Sequence, residues 1–125
     1  MISNVSLQQL LKAQAIFERF RKNITTDQDQ AGAVQSFEFC FELAWKAMKK
    51  IIVSRGITVA SPKETFRYAA LENLIARPEP WFTFLELRNL TVHTYEENNL
   101  NRIVEQFDFF SKEFDIFIKT LHTLT

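Results

Sequence analysis

The chain is poor in the residues that break helices. It has two glycines and three prolines in 125 residues. Long period-two alternation is also absent, which argues against an all-β domain. A single cysteine excludes a disulfide framework and a cysteine-rich metal site. It fits a reducing interior compartment. Lysine plus arginine and aspartate plus glutamate each number 15, so bulk charge does not drive nucleic-acid binding. No apolar run approaches the roughly 18 residues needed to span a bilayer. The opening stretch MISNVSLQQLLKAQAIFERF has Lys12 among its apolar positions and no basic segment before them, unlike a signal peptide. These absences predict one soluble, cytoplasmic domain, residues 1–125, with no membrane association.

What is abundant is phenylalanine, with thirteen copies, most of them at helical core spacing. The first helix is expected from Ser3 to about Ile24, with a stripe of Leu7, Leu10, Phe17, Phe20 and Ile24. A polar turn follows over Thr25 to Gln30. The second helix is expected from about Asp29 to Arg55, with Gly56 as its C-terminal cap. Within it Cys40, between Phe39 and Phe41, reads as a small buried hydrophobe. Ser61-Pro62-Lys63-Glu64 reads as cap, first helical position and reciprocal N3 acid of a third helix reaching about Ala76. Arg77-Pro78-Glu79-Pro80 interrupts the pattern. A fourth helix is expected from Trp81 to about Tyr95, and a fifth from Asn98 or Asn99. Leu100, Ile103, Phe107, Phe110, Phe114, Phe117 and Leu121 give that fifth helix a continuous 3-4 repeat, the pattern of a bundle seam. The expected fold is all-α: an up-and-down bundle of about five helices. The seam calls for a partner, from the same chain or from a second copy.

The chemistry concentrates in RNLTVHTY, which places Arg88, Asn89, His93 and Tyr95 within eight residues. Arginine offers a charged planar fork to a phosphate. Histidine exchanges a proton near neutral pH. Asn89 can orient His93 or a phosphate, and Tyr95 can donate to a phosphate oxygen or accept a transferred group. None of these roles needs a metal or an intrinsic cofactor. On an ideal helix Arg88 and Tyr95 share a face, whereas Arg88 and His93 lie roughly 140° apart. One isolated helix therefore cannot make a compact site; a second helix or a symmetry copy must contribute. The bland alternative is an Arg88–acid surface pair, a hydrogen-bonded core His93 and a packed Tyr95.

Three ordered segments carry a resemblance. FEFCFELAWKAMKK (residues 37–50), SPKETFRYA (61–69) and RNLTVHTYEE (88–97), with Trp81 ahead of the last, resemble the nucleotidyltransferase substrate-binding proteins of the HEPN superfamily. The resemblance covers nearly the whole chain. It implies a helical bundle that forms a homodimer, and a separately encoded minimal nucleotidyltransferase partner. It implies that Arg88 and His93 line a dimer cleft which, in active members, cleaves RNA without a metal. It also implies that Tyr95 can be nucleotidylated by the partner, and that such modification or complex formation can neutralise the ribonuclease.

Three functions follow as expectations. The first is an accessory subunit that binds a nucleotide or substrate for the transferase, with Glu42, Trp45 and Lys46 as the wall opposite Arg88, Asn89, His93 and Tyr95. For that wall the plain alternative is a packed Trp45 and a solvated charge pair. The second is an endoribonuclease toxin. Balanced total charge leaves room for it: residues 42–67 hold six basic and two acidic residues, while 96–125 hold three and six. The third is a dimerisation or docking module.

Overall fold

A computed structural model describes the backbone of residues 4–93 and 97–124, and the side chains of residues 6–92 and 99–124. The described residues form α1 (Asn4–Arg21), α2 (Asp27–Ser54), α3 (Pro62–Leu71), α4 (Glu79–Leu90), a 3-10 turn (Thr91–His93), α5 (Glu97–Glu105) and α6 (Phe107–His122). The all-α bundle matches the expectation from periodicity. Among the described residues no helix is long and apolar enough to cross a membrane.

Local chemistry sets most helix ends. The α1 helix stops at Arg21, short of Ile24, where Asn23 donates its side-chain amide to the Arg19 carbonyl at 2.8 Å. Thr26 and Asp29 then form a capping box, so α2 begins two residues ahead of the expected Asp29. The Asp29 carboxylate accepts from Thr25 and Thr26 and is held below the usual carboxylate range, chiefly by the Thr25 hydroxyl. At its other end α2 closes with Gly56 at φ 85 and bonds from Gly56 N to Val53 O and from Ile57 N to Ile52 O. Ser61 caps α3 as expected, accepting from Glu64 N at 3.2 Å; the Glu64 carboxylate reaches Ala60 N rather than Ser61 N.

Other boundaries also differ from the periodic reading. The α3 helix ends at Leu71 instead of Ala76, because Asn73 takes the left-handed conformation (φ 62). Leu74 N then bonds Ala69 O at 2.8 Å, and buried Leu74 and Ala69 close the end. The α4 helix begins at Glu79, with Pro80 tolerated in its first turn, and ends at Leu90 rather than Tyr95. There Thr91 donates both its N–H and its hydroxyl to the Arg88 carbonyl, which tightens the chain into the 3-10 turn. The expected fifth helix is two, parted at Gln106. The apolar stripe continues across the break, but α5 packs on α2 and α4 while α6 packs on α1, so the chain must turn.

Packing follows from the stripes. Helices α1 and α2 run antiparallel: the Phe20 ring lies against Gly32, and the Cys40 thiol donates to the Ala13 carbonyl at 3.3 Å. Burial pushes that thiol up to about 12, with Glu18 adding to the shift, so Cys40 serves as a packed apolar group. Phe110 is the hub of the core. Its ring sits 5.4 Å from Phe17, 4.8 Å from Phe37, 5.0 Å from Phe84 and 5.3 Å from Phe114, so one residue of α6 ties α1, α2 and α4 together. Trp81 is buried beside Phe41, Phe66 and Phe84. On the outside, Gln14–Asp115, Glu18–Ser111 and Arg21–Asp108 lace α1 antiparallel to α6.

Candidate functional site

Arg88 occupies the last turn of α4, where unpaired carbonyls and the helix dipole favour a cation. The α4 core face, with Trp81, Phe84 and Leu87 buried, fixes the rotation of the helix. Arg88 consequently points along the side of α2. Its Nε donates to Glu42 Oε1 at 3.0 Å. The second carboxylate oxygen of Glu42 accepts from Trp45 Nε1 at 3.1 Å and lies 4.0 Å from Lys46 Nζ. Both ends of Glu42 are therefore held. The Lys49 ammonium stands over the Trp45 ring, 5.9 Å from its centroid.

The structure thus gathers four of the residues singled out from sequence: Glu42, Trp45, Lys46 and Arg88. Glu42 and Arg88 are 46 positions apart, and the pairing exists only because α2 and α4 pack together. It combines two readings that the sequence set apart, an acid-paired arginine and a wall on the second helix. Trp45 is half-buried and both packs and donates, so it is more than filler. Asn89 is exposed and does not join this cluster. His93 ends the 3-10 turn, and its side chain lies outside the described residues, as does all of Tyr95. The shared face expected for Arg88 and Tyr95 assumed a helix through position 95, and α4 ends five residues earlier.

The pair is accessible. The side chains of Arg88 and Glu42 are 33% and 31% exposed, so their attraction is screened and of modest strength. A guanidinium has five N–H donors, and the bond to Glu42 uses one of them. Such an arginine is aimed without being locked, and a phosphate can compete for it. Next to this cluster, α1 and α2 enclose a cleft of about 280 Å³ lined by Gln9, Leu10, Leu43, Lys46, Ala47 and Lys50. No motif marks Gln9, and only the antiparallel pairing of α1 with α2 brings it to Lys50.

The comparisons agree with this architecture. The bundle superposes on a HEPN toxin from Shewanella oneidensis, tri-AMPylated and in complex with MNT antitoxin, with a TM-score of 0.82 over 98% of this chain and 99% of that one at 17% identity. That likeness establishes the fold class, an all-α HEPN-like bundle. A family model described as nucleotidyltransferase substrate binding protein like matches residues 3–123, and the chain belongs to this family. A probable ribonuclease HepT from Haemophilus influenzae is 31% identical over 104 residues, which cover 79% of this chain and 71% of the relative. The substrate-binding domain of a nucleotidyltransferase from Haemophilus influenzae is 30% identical, with a TM-score of 0.69 over 94% of this chain and 93% of that one.

Proposed function

We propose that this protein is a metal-independent endoribonuclease of the HEPN type, working as a homodimer in the cytoplasm and controlled by a separately encoded nucleotidyltransferase antitoxin. The observation that carries the reading is Arg88: a partly exposed arginine, aimed by Glu42 from a neighbouring helix, directly ahead of the turn that ends in His93. In this reading Arg88 binds a phosphoryl oxygen and stabilises the charge that develops there. His93 takes the proton of the 2′-hydroxyl or returns one to the leaving 5′ oxygen. The 2′ oxygen forms a bond to phosphorus as the bond to the 5′ oxygen breaks, which leaves a cyclic phosphate. In a dimer the two copies of His93 can divide these tasks. In this reading Asn89 orients the histidine or a phosphate. The exposed Val92, 63% accessible in the middle of this turn, suits a surface covered by a second copy or by the transferase.

The likeness to a probable ribonuclease supports this reading. The likeness to a nucleotidyltransferase substrate-binding domain favours a second one, an accessory subunit that presents a nucleotide or substrate to the transferase through the same residues. A third, a plain dimerisation or docking module, rests on the helical seams alone. Cleavage of RNA by purified protein, with and without the transferase, separates them. The ribonuclease reading requires turnover that Arg88→Ala and His93→Ala abolish while fold and dimer persist. Absent turnover with retained transferase binding favours the accessory subunit. Tyr95 is proposed as the acceptor of a nucleotidyl group. Incubation with transferase and ATP should add that mass to the wild-type protein and not to Tyr95→Phe. Light scattering that shows a monomer across micromolar concentrations would count against the dimer.

A further inference from the structure

We infer that the cleft between α1 and α2 is a subsite for the RNA strand flanking the phosphate held at Arg88, with Lys50 and Gln9 as its recognition residues. This rests on the ribonuclease reading and adds a binding track to it. Glu42, Lys46 and Lys50 stand one helical turn apart along α2, each step about 6 Å of rise with roughly 40° of drift. The drift accounts for the layout. Glu42 reaches Arg88 on the α4 side, whereas Lys46 and Lys50 line the cleft on the α1 side. Arg88, Lys46 and Lys50 therefore follow one another along the side of α2 as a cationic row, with the Glu42 carboxylate between the first two. Lys49 adds a further positive charge beside Trp45.

The floor of the cleft is of a different kind. Leu10, Leu43 and Ala47 make it apolar, and Gln9 supplies an amide at its edge. A cationic rim over an apolar floor matches a polyanion whose bases are flat and weakly polar. It matches an acidic peptide less well, since that would leave the floor uncovered. The volume of about 280 Å³ suits one base rather than a folded element. Single-stranded RNA, with its phosphates on the lysines and one base over Leu43 and Ala47, is the occupant that the charge and shape select.

The test uses the full-length protein and a fluorescein-labelled single-stranded oligoribonucleotide of mixed sequence. Binding is measured by anisotropy over a range of salt, and cleavage by initial rates. Lys50→Ala should weaken binding about fivefold and lower the salt slope by about one, the signature of one lost phosphate contact. In cleavage the loss should fall on KM far more than on kcat. Lys50→Arg should restore binding, and Gln9→Glu should weaken it by placing a negative charge at the edge. Lys112→Ala removes the same charge from α6 and should leave both readouts unchanged. Cleavage with normal KM and salt slope in Lys50→Ala would overturn the subsite and spare the ribonuclease. Salt-dependent binding that needs Lys50, without any cleavage, would support the subsite and overturn the ribonuclease. Absence of both binding and cleavage in the wild type would overturn the two together.

Discussion

Arg21–Glu18 and Arg88–Glu42, two of the arginine–glutamate pairs on this bundle, are built differently. On the α1–α6 side Arg21 pairs with Glu18, three residues earlier on the same helix, and also reaches Asp108 at 2.5 Å. Ser111 donates to both oxygens of Glu18 at 3.0 Å. Burial alone would raise the Glu18 carboxyl, yet the hydrogen bonds from Arg21 and Ser111 outweigh it and hold the group below its usual range. Arg21 is raised in turn, first by its bond to Glu18. Its side chain is 18% exposed, against 33% for Arg88. On the α2–α4 side, among the described residues, Arg88 bonds one carboxylate, that of Glu42, and has more open surface. Arg21 is consumed by structure, being met by two acids that staple neighbouring helices. Among the described residues Arg88 is oriented by one acid, Glu42, and is partly exposed. A count of ion pairs would treat the two alike; the number of partners and the exposure tell them apart.

The contrast is broken most directly at Arg88. Arg88→Ala should lower RNA turnover by about 10²–10³-fold, the scale of losing one donor to a developing oxyanion. Its thermal midpoint should stay within about 2 °C of wild type, since exposed pairs contribute little to stability. A large fall in the midpoint would make Arg88 a second structural arginine. Glu42→Gln keeps an acceptor for Trp45 but removes the charge that aims Arg88. Roughly tenfold slower turnover is expected, or about 1.4 kcal/mol, with RNA binding kept or improved because the competing carboxylate is gone. Initial rates and anisotropy on one preparation check both halves.

Arg21→Ala should do the reverse. About 1 kcal/mol of stability should go, read as a shift of the denaturant midpoint, while turnover is retained. Lost turnover with unchanged stability would erase the distinction. The smallest effect is expected in acid. Glu18 is lowered as described, and Asp115 is lowered first by Lys119 and then by Gln14. A carboxylate with a depressed native value contributes stability that is complete above its unfolded value, about 4, and is lost as pH falls through the native value. Stability should therefore decline from about pH 5 downward. In Glu18→Gln that decline should be shallower, and denaturant titrations at successive pH values would show it. An equal decline in both proteins would mean that Glu18 is not the linked group.

Much of this molecule was legible as sequence, for local reasons. Gly56, Ser61 and Pro62 mark ends whose chemistry acts within a few residues, and the fold keeps them. The phenylalanine stripes mark the core because helical periodicity encodes which face is buried, and Phe17, Phe37, Phe41, Phe110, Phe114 and Phe117 are buried. Less legible were ends set by a shift in backbone conformation without Gly or Pro. Asn73 closes α3 in the left-handed region, Thr91 tightens the end of α4, and Gln106 parts α5 from α6 where the apolar repeat runs on unbroken.

The amino-acid order by itself determined an all-α domain, its hydrophobic faces and a short segment bearing Arg88 and His93, because propensity, capping and periodicity are short-range properties. It marked Glu42, Trp45 and Lys46 as a wall opposite Arg88, without showing which of them Arg88 meets. Only the packing of α4 on α2 decided that Glu42 aims Arg88, and only the antiparallel seating of α1 on α2 placed Gln9 across from Lys50. Those contacts join residues about 40 positions or more apart in the chain. They form because apolar faces elsewhere on the same helices are driven out of water, carrying the polar side chains on the opposite faces into register.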